Sequence, residues 1–269
     1  MKTAKNKEKV KNMIITTSAR ADENTIHYAK SIAQKFGVEF VLRKNKSLVQ
    51  IQTGYQSPSL VVNKNRLELH MIEEKQPFFF HPNSASFRVK RLQRKEEDPL
   101  LQAANIQAGD VILDCTLGLA SDSIVFSFAT GENGHVTGIE GNPTIAFIVE
   151  EGLKKWDSPL EEMNRAMRNI SVKVGNYLDH LQNYPDKSVD IVYFDPMFDE
   201  GILTSDGIQS LRQFALHEKV TQQAITEAKR VAQKRVVMKN YFRSESFAEF
   251  DFHVIQRKNA KFHYGYIEL

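Results

Sequence analysis

Two spacings of hydrophobic residues alternate along this chain. Over Asn24–Phe36, the residues Ile26, Ala29, Ile32, Ala33 and Phe36 recur at steps of three and four, which predicts a helix stopped by Gly37. Short β-branched runs predict strands at Met13–Thr17, Val38–Leu42, Leu48–Thr53 and Ser59–Val62. The first third therefore reads as a small α/β unit. From Gly109 onward the alternation is more regular. Strands are expected at Val111–Thr116, His135–Glu140, Ser171–Val174, Asp190–Phe194 and Arg235–Lys239. Helices are expected over Pro99–Ala104 and near Ala120–Thr130, Asn142–Lys155 and Lys219–Ala232. Repeated strand–helix units require right-handed crossovers and a parallel sheet. The last two runs, Phe252–Gln256 and Phe262–Ile267, have no helical spacer between them and must pair antiparallel.

The expected fold class is thus α/β: a Rossmann-like, mainly parallel seven-stranded sheet with an antiparallel C-terminal hairpin, plus a small N-terminal α/β unit. The expected division places a small basic unit with a flexible arm at 1–95 and the larger domain at 96–269.

Composition narrows the class of protein. A chain of 269 residues suits one large α/β domain with an appendage. A single cysteine, Cys115, excludes a disulfide framework and makes a reducing cytoplasm the expected location. No apolar run approaches the roughly 20 residues that span a bilayer, so no membrane partner is expected. The basic start, Met1–Lys11, leads into no long apolar stretch and no small-residue cleavage site, so no secretory leader is expected. The net charge of +3 hides an asymmetry: residues 1–95 carry +12 and the rest carries −9. A basic appendage on an acidic domain suggests contact with a polyanion, although a solvated basic tail reads the same way. His81, His217 and His263 lack metal-ligand spacing, and no structural zinc is expected.

The most informative stretch runs from Val111 to Asp122. A buried strand ends in Asp114, and a small-residue turn through Gly118 opens a helix at Ser121-Asp122. Ligands of open α/β sheets bind at the carboxyl ends of the strands, and Gly118 lets backbone approach a ligand closely. The glycine fingerprint that seats a pyrophosphate is missing. That combination fits S-adenosylmethionine (SAM), which carries no phosphate. Asp114 is expected to hold its ammonium and Asp122 its amino-acid tail; a strand ending in an Asx turn is the plainer alternative. Glu140 closes the next strand ahead of Gly141-Asn142-Pro143. An acid there can accept both ribose hydroxyls, or simply favour a helix N-terminus. Val174-Gly175-Asn176-Tyr177 reads equally as an adenine contact or as a helix cap.

Asp190–Phe194 leads into Asp195-Pro196-Met197-Phe198. An exocyclic amine on a base is a poor nucleophile because its lone pair is delocalised into the ring. Two acceptors on its hydrogens, the Asp195 carboxylate and the Pro196 carbonyl, can aim that lone pair at a methyl donor. Pro196 pre-sets the turn, and Phe198 can stack on the base. On the substrate side, Arg88, Lys90, Arg91, Arg94 and Lys95 form a basic cluster near Phe78, Phe79, Phe80 and Phe87. It reads either as a phosphate-binding surface or as a solvated linker.

With these residues placed, the sequence resembles the bacterial 16S ribosomal RNA guanine-N2 methyltransferases of the J type, a group of class I SAM-dependent methyltransferases. The resemblance runs from about Phe79 to Leu269 and extends more weakly over the N-terminal unit. It rests on Leu113–Asp122, Glu140-Gly141-Asn142-Pro143, Asp195-Pro196-Met197-Phe198 and Val236-Val237-Met238-Lys239. It implies SAM contacts at Ser121, Asp122, Glu140, Gly141, Asn176, Tyr177 and Asp195. With the basic cluster, it also implies an RNA-facing side that includes Arg88, Lys90, Arg91, Arg94 and Lys239. Asp199 stands where the family has proline, Phe87–Glu97 replaces a Gly-rich basic segment, and Asn240-Tyr241 replaces Arg-Pro after Lys239. These departures leave the ribosomal target open. Methylation of a protein amide or small molecule, and a non-catalytic RNA-binding role, remain alternatives at this point.

Overall fold

The computed structural model describes residues 13–72, 74, 76–196, 219–258 and 260–269. The chain divides into two compact units, one running to Phe80 and the other beginning at His81.

In the first unit, β1 (Ile14–Thr17) pairs parallel with β2 (Ser59–Val62), which pairs antiparallel with β3 (Leu67–His70). Helix α1 (Glu23–Phe36) is capped by Asp22, which accepts from the Thr25 amide, and it ends at Gly37 with φ +64°. It buries Ala29, Ile32 and Ala33, the face its spacing predicts. Two strand expectations are corrected here. Leu48–Thr53 lies in helix α2 (Leu48–Tyr55), because Ser47 and Gln50 form a reciprocal capping box. Val38–Leu42 is reduced to a single bridge between Phe40 and Ile15.

The second unit begins before the expected boundary at residue 96. Helix α3 (Asn83–Gln93) carries most of the basic cluster and packs on α5 (Ser121–Thr130), burying Ala85 and Val89. Helix α4 (Pro99–Ala104) follows, with Asp98 as N-cap and Pro99 at the first turn.

A seven-stranded sheet then forms from β4 (Val111–Asp114), β5 (His135–Glu140), β6 (Ile170–Val174), β7 (Val189–Phe194), β8 (Ala232–Tyr241), β9 (His253–Ile255) and β10 (Phe262–Glu268). Their spatial order is β6-β5-β4-β7-β8-β10-β9, parallel through β8, with β10 antiparallel to both neighbours. Helices α6 (Pro143–Lys155), α7 (Glu161–Arg168), α8 (Tyr177–Asn183), α9 (Gln222–Val231) and the short α10 (Ser246–Glu249) complete the unit. Leu113, Val192, Val236 and Met238 of the central strands are buried against Ile225, Ala228 and Val231 of α9. The chain order reverses direction across the sheet at β4 and β7, so a crevice is expected at their carboxyl ends.

Candidate active site

The loop after β4 is hydrogen-bonded to the strands on both sides of it. The Cys115 amide donates to the Tyr193 carbonyl (2.9 Å), and the Leu117 amide donates to the Ile139 carbonyl (3.0 Å). Thr116 Oγ1 accepts from the Asp195 amide at 2.6 Å. The Gly118 amide donates to Glu140 Oε2 at 3.3 Å. The tips of β5, β4 and β7 are thereby tied together, and Asp114, Glu140 and Asp195 are neighbours at one end of the sheet. Gly118 and Ala120 both adopt left-handed backbone, φ +50° and +59°, to make this turn. At Gly138 a Cβ would lie 2.3 Å from Leu117 Cδ1, so any larger residue there would displace the Leu117 side chain.

Asp114 is buried. Its Oδ1 accepts from the Thr116 amide (2.9 Å) and its Oδ2 from Ser123 Oγ (2.5 Å). Burial pushes its carboxyl up to about 7, with Asp122 and Asp195 adding repulsion. Glu140 accepts from the Asn142 amide at 2.9 Å, and burial likewise pushes it up to about 7, with Asp114 adding to the rise. Asp122, in the first turn of α5, has the opposite surroundings. Burial works against its charge, but Lys239 and Arg88 overcome it and hold the carboxyl below the usual carboxylate range. Tyr193 Oη donates to Asp122 Oδ2 at 2.8 Å, and Arg88 Nη1 donates to Oδ1. Lys239 Nζ bridges Asp122 Oδ2 (3.4 Å) and Asp195 Oδ2 (2.6 Å). Burial raises the Asp195 carboxyl, and the Lys239 charge opposes that rise.

The expected RNA-facing side is split by the structure. Arg88 does not face solvent. Its Nε and Nη2 donate to Asp98 at 2.7 Å each and its Nη1 serves Asp122, so its fork is committed inside the domain. Lys239 is likewise held by two carboxylates. Lys90 on α3 and Arg94 at its C-cap are exposed, as is Phe87, and Arg91 is half-buried and paired with Glu96 at 2.7 Å. Asn176 caps α8 by accepting from the Leu178 amide, and the Tyr177 ring packs edge-on to Phe194. Gly141 and Pro196 are half-buried beside Glu140 and Asp195. Phe198 lies outside the described residues. Thr116, which sequence reasoning read only as part of the loop motif, joins the site, as do Ser123, Tyr193 and Asp98, which it did not single out. Asp98 had a legible signal, an acid before proline at a helix start.

The donor set also tests what can bind. Asp114, Asp122, Glu140 and Asp195 face two protein cations, Arg88 and Lys239, and the two acids raised to about 7 have neither as a partner. The amides of residues 115–118 and of Ala120 are donated within the loop or to neighbouring strands, and the four acids around the loop disfavour an anionic group such as phosphate. A ligand with an ammonium, a sulfonium and ribose hydroxyls, but no phosphate, fits these residues. Among the described residues no cluster of three or more side chains has the composition of a metal site, and no helix is long and apolar enough to cross a membrane.

A family model described as "Putative SAM-dependent methyltransferase" matches residues 42–265. The chain belongs to this family. It is therefore a SAM-dependent methyltransferase of class I fold, similar to the J-type enzymes. Bacillus subtilis (strain 168) YpiP is 45% identical over 255 residues, covering 95% of this chain and 99% of that protein. Ribosomal RNA small subunit methyltransferase J of Ectopseudomonas mendocina is 31% identical over 145 residues, covering 52% of this chain and 54% of the relative. The protein of that name from Buchnera aphidicola subsp. Acyrthosiphon pisum (strain Tuc7) is 24% identical, over 77% and 86%. Among solved structures, the SAM-dependent methyltransferase NGO1261 of Neisseria gonorrhoeae has a TM-score of 0.60 at 18% identity, covering 95% of each chain, which shows a shared fold.

Proposed function

We propose that this methyltransferase modifies an exocyclic amino group of an RNA base, with guanine N2 of small-subunit ribosomal RNA as the acceptor. The observation that carries the reading is the placement of Asp195. Its amide is fixed to Thr116 beside Asp114, and its carboxylate is held by Lys239 at the tip of β7.

Asp114 is assigned to the ammonium of SAM, Glu140 to its ribose hydroxyls, and Asp122 to the amino-acid tail. Ser121, Gly141, Asn176 and Tyr177 are assigned to the walls of the same cofactor site. The bound cofactor supplies an electrophilic methyl group on a sulfonium. Asp195 accepts one amino hydrogen of the base and the Pro196 carbonyl accepts the other, which turns the nitrogen lone pair out of conjugation. Lys239 favours the ionised form of Asp195 against the effect of burial, and the raised Asp195 carboxyl suits it to take the proton that leaves the nitrogen. Phe198 is assigned to stacking on the base, and Lys90, Arg91 and Arg94 to the phosphates of the bound strand.

The J-type relatives support the ribosomal substrate, as does the +12 charge of residues 1–95. The test is nucleoside mass spectrometry of ribosomal RNA from a strain lacking the protein, before and after incubation with enzyme and SAM. A new N2-methylguanosine is expected. Methylation appearing only on protein would replace RNA as the substrate.

A further inference from the structure

Lys239 has a second neighbour that the chemistry above does not use. Its Nζ, 2.6 Å from Asp195 Oδ2, lies 5.0 Å from the Phe262 ring centroid. The Arg257 guanidinium lies 4.6 Å from the same ring and 5.8 Å from the Tyr264 ring. Antiparallel register brings these groups together, setting Lys239 opposite Tyr264 and Tyr241 opposite Phe262. Beyond them the Tyr241 and Phe242 rings pack at 4.7 Å, the Arg243 guanidinium lies 4.9 Å from Phe242, and His263 lies 6.1 Å from it. Phe242 is 38% exposed, and Arg243, Lys258 and Lys261 are exposed.

Two features separate this ledge from ordinary packing. First, residues 96–269 carry −9, yet Lys239, Arg243, Arg257, Lys258 and Lys261 gather at this strand end, with Glu245, Glu249 and Asp251 as the acids of the same stretch. Second, Arg257 Nη1 is buried and makes no hydrogen bond among the described residues. A guanidinium donor left unpaired in a native fold calls for an acceptor, and carboxylate or phosphate oxygens are its complements. Exposed aromatics interleaved with cations are the surface that single-stranded nucleic acid prefers: bases stack, and the backbone meets positive charge.

We propose that Phe242, Arg257, Lys258, Lys261 and Phe262 form a binding ledge for single-stranded RNA beside Asp195. A base flanking the modified nucleotide stacks on Phe242, and Arg257 takes the adjoining phosphate. This rests on the RNA reading above and adds where the strand is held.

The test is fluorescence anisotropy with a labelled mixed-sequence single-stranded RNA, alongside SAM calorimetry on the same samples. Three variants are compared with wild type: Arg257→Leu, Phe242→Ala, and the exposed double variant Lys258→Ala/Lys261→Ala. Each is expected to weaken RNA binding by about tenfold while SAM affinity stays unchanged. The double variant should also flatten the salt dependence. Wild-type RNA affinity in Phe242→Ala and in the double variant would overturn the ledge and leave the RNA reading standing. A wild-type protein that binds no RNA, or whose RNA is displaced equally well by polyglutamate, would overturn both.

Discussion

Strand β8 carries two lysines, one near each end, and each sits between two aspartates. Lys234 meets Asp110 Oδ1 at 2.5 Å and Asp190 Oδ1 at 3.0 Å at the amino ends of β4 and β7. Lys239 bridges Asp122 and Asp195 at their carboxyl ends. The first arrangement is closed. The other oxygens of Asp110 and Asp190 accept from the Gln107 and Val111 amides, and the Lys234 side chain is 40% exposed. The second is open. Lys239 is more enclosed, Arg88 is drawn in from α3, and two further acids, Asp114 and Glu140, sit nearby with no cation of their own. A lysine between two aspartates is therefore a device for tying strands together at either end. Surplus buried acid is what distinguishes the end that receives a cationic ligand.

The largest effect that would break this comparison is on catalysis. Asp195→Ala should reduce methyl transfer, measured with labelled SAM and corrected for the folded fraction, by about a thousandfold or more. Asp190→Ala at the closed end should leave kcat intact. Equal losses at the two ends would erase the distinction.

Next comes stability. Asp122→Asn leaves Arg88 and Lys239 short of their shared anion, and urea unfolding should show a loss of about 3–5 kcal/mol. Lys234→Met, at a solvent-screened site, should lose about 1 kcal/mol.

The smallest effect is also the most discriminating. Unliganded Asp114 holds its proton up to about pH 7, whereas an unfolded aspartate releases it near 4. The folded state therefore loses stability as pH rises from about 4 to 7. Asp114→Asn should remove that loss and, at about pH 8, make the unliganded protein more stable by on the order of 1 kcal/mol.

Much of this site was readable before the fold. Asp114, Glu140 and Asp195 each end an apolar strand, and strand alternation alone places such ends side by side. The partners were harder to read, because they come from remote segments. Arg88 looks like part of a basic surface run until α3 packs on α5 and turns its guanidinium inward to Asp98 and Asp122. Thr116 was visible in the motif, but its link to the Asp195 amide depends on the pairing of β4 with β7. In the first unit, Leu48–Thr53 has β-branched content that suggests a strand, and the Ser47–Gln50 capping box decides for helix. Short runs are where local capping outweighs propensity.

The central claim is that the carboxyl end holds unbalanced acid because SAM supplies the missing positive charge. Calorimetric titration of SAM into wild type and into Asp114→Asn, each at about pH 6 and pH 8, tests it directly. Wild type should bind roughly tenfold more tightly at the higher pH, as Asp114 and Glu140 give up their protons, and Asp114→Asn should bind weakly with a flatter response. Wild-type affinity in Asp114→Asn, or a wild-type affinity that ignores pH, would contradict the account.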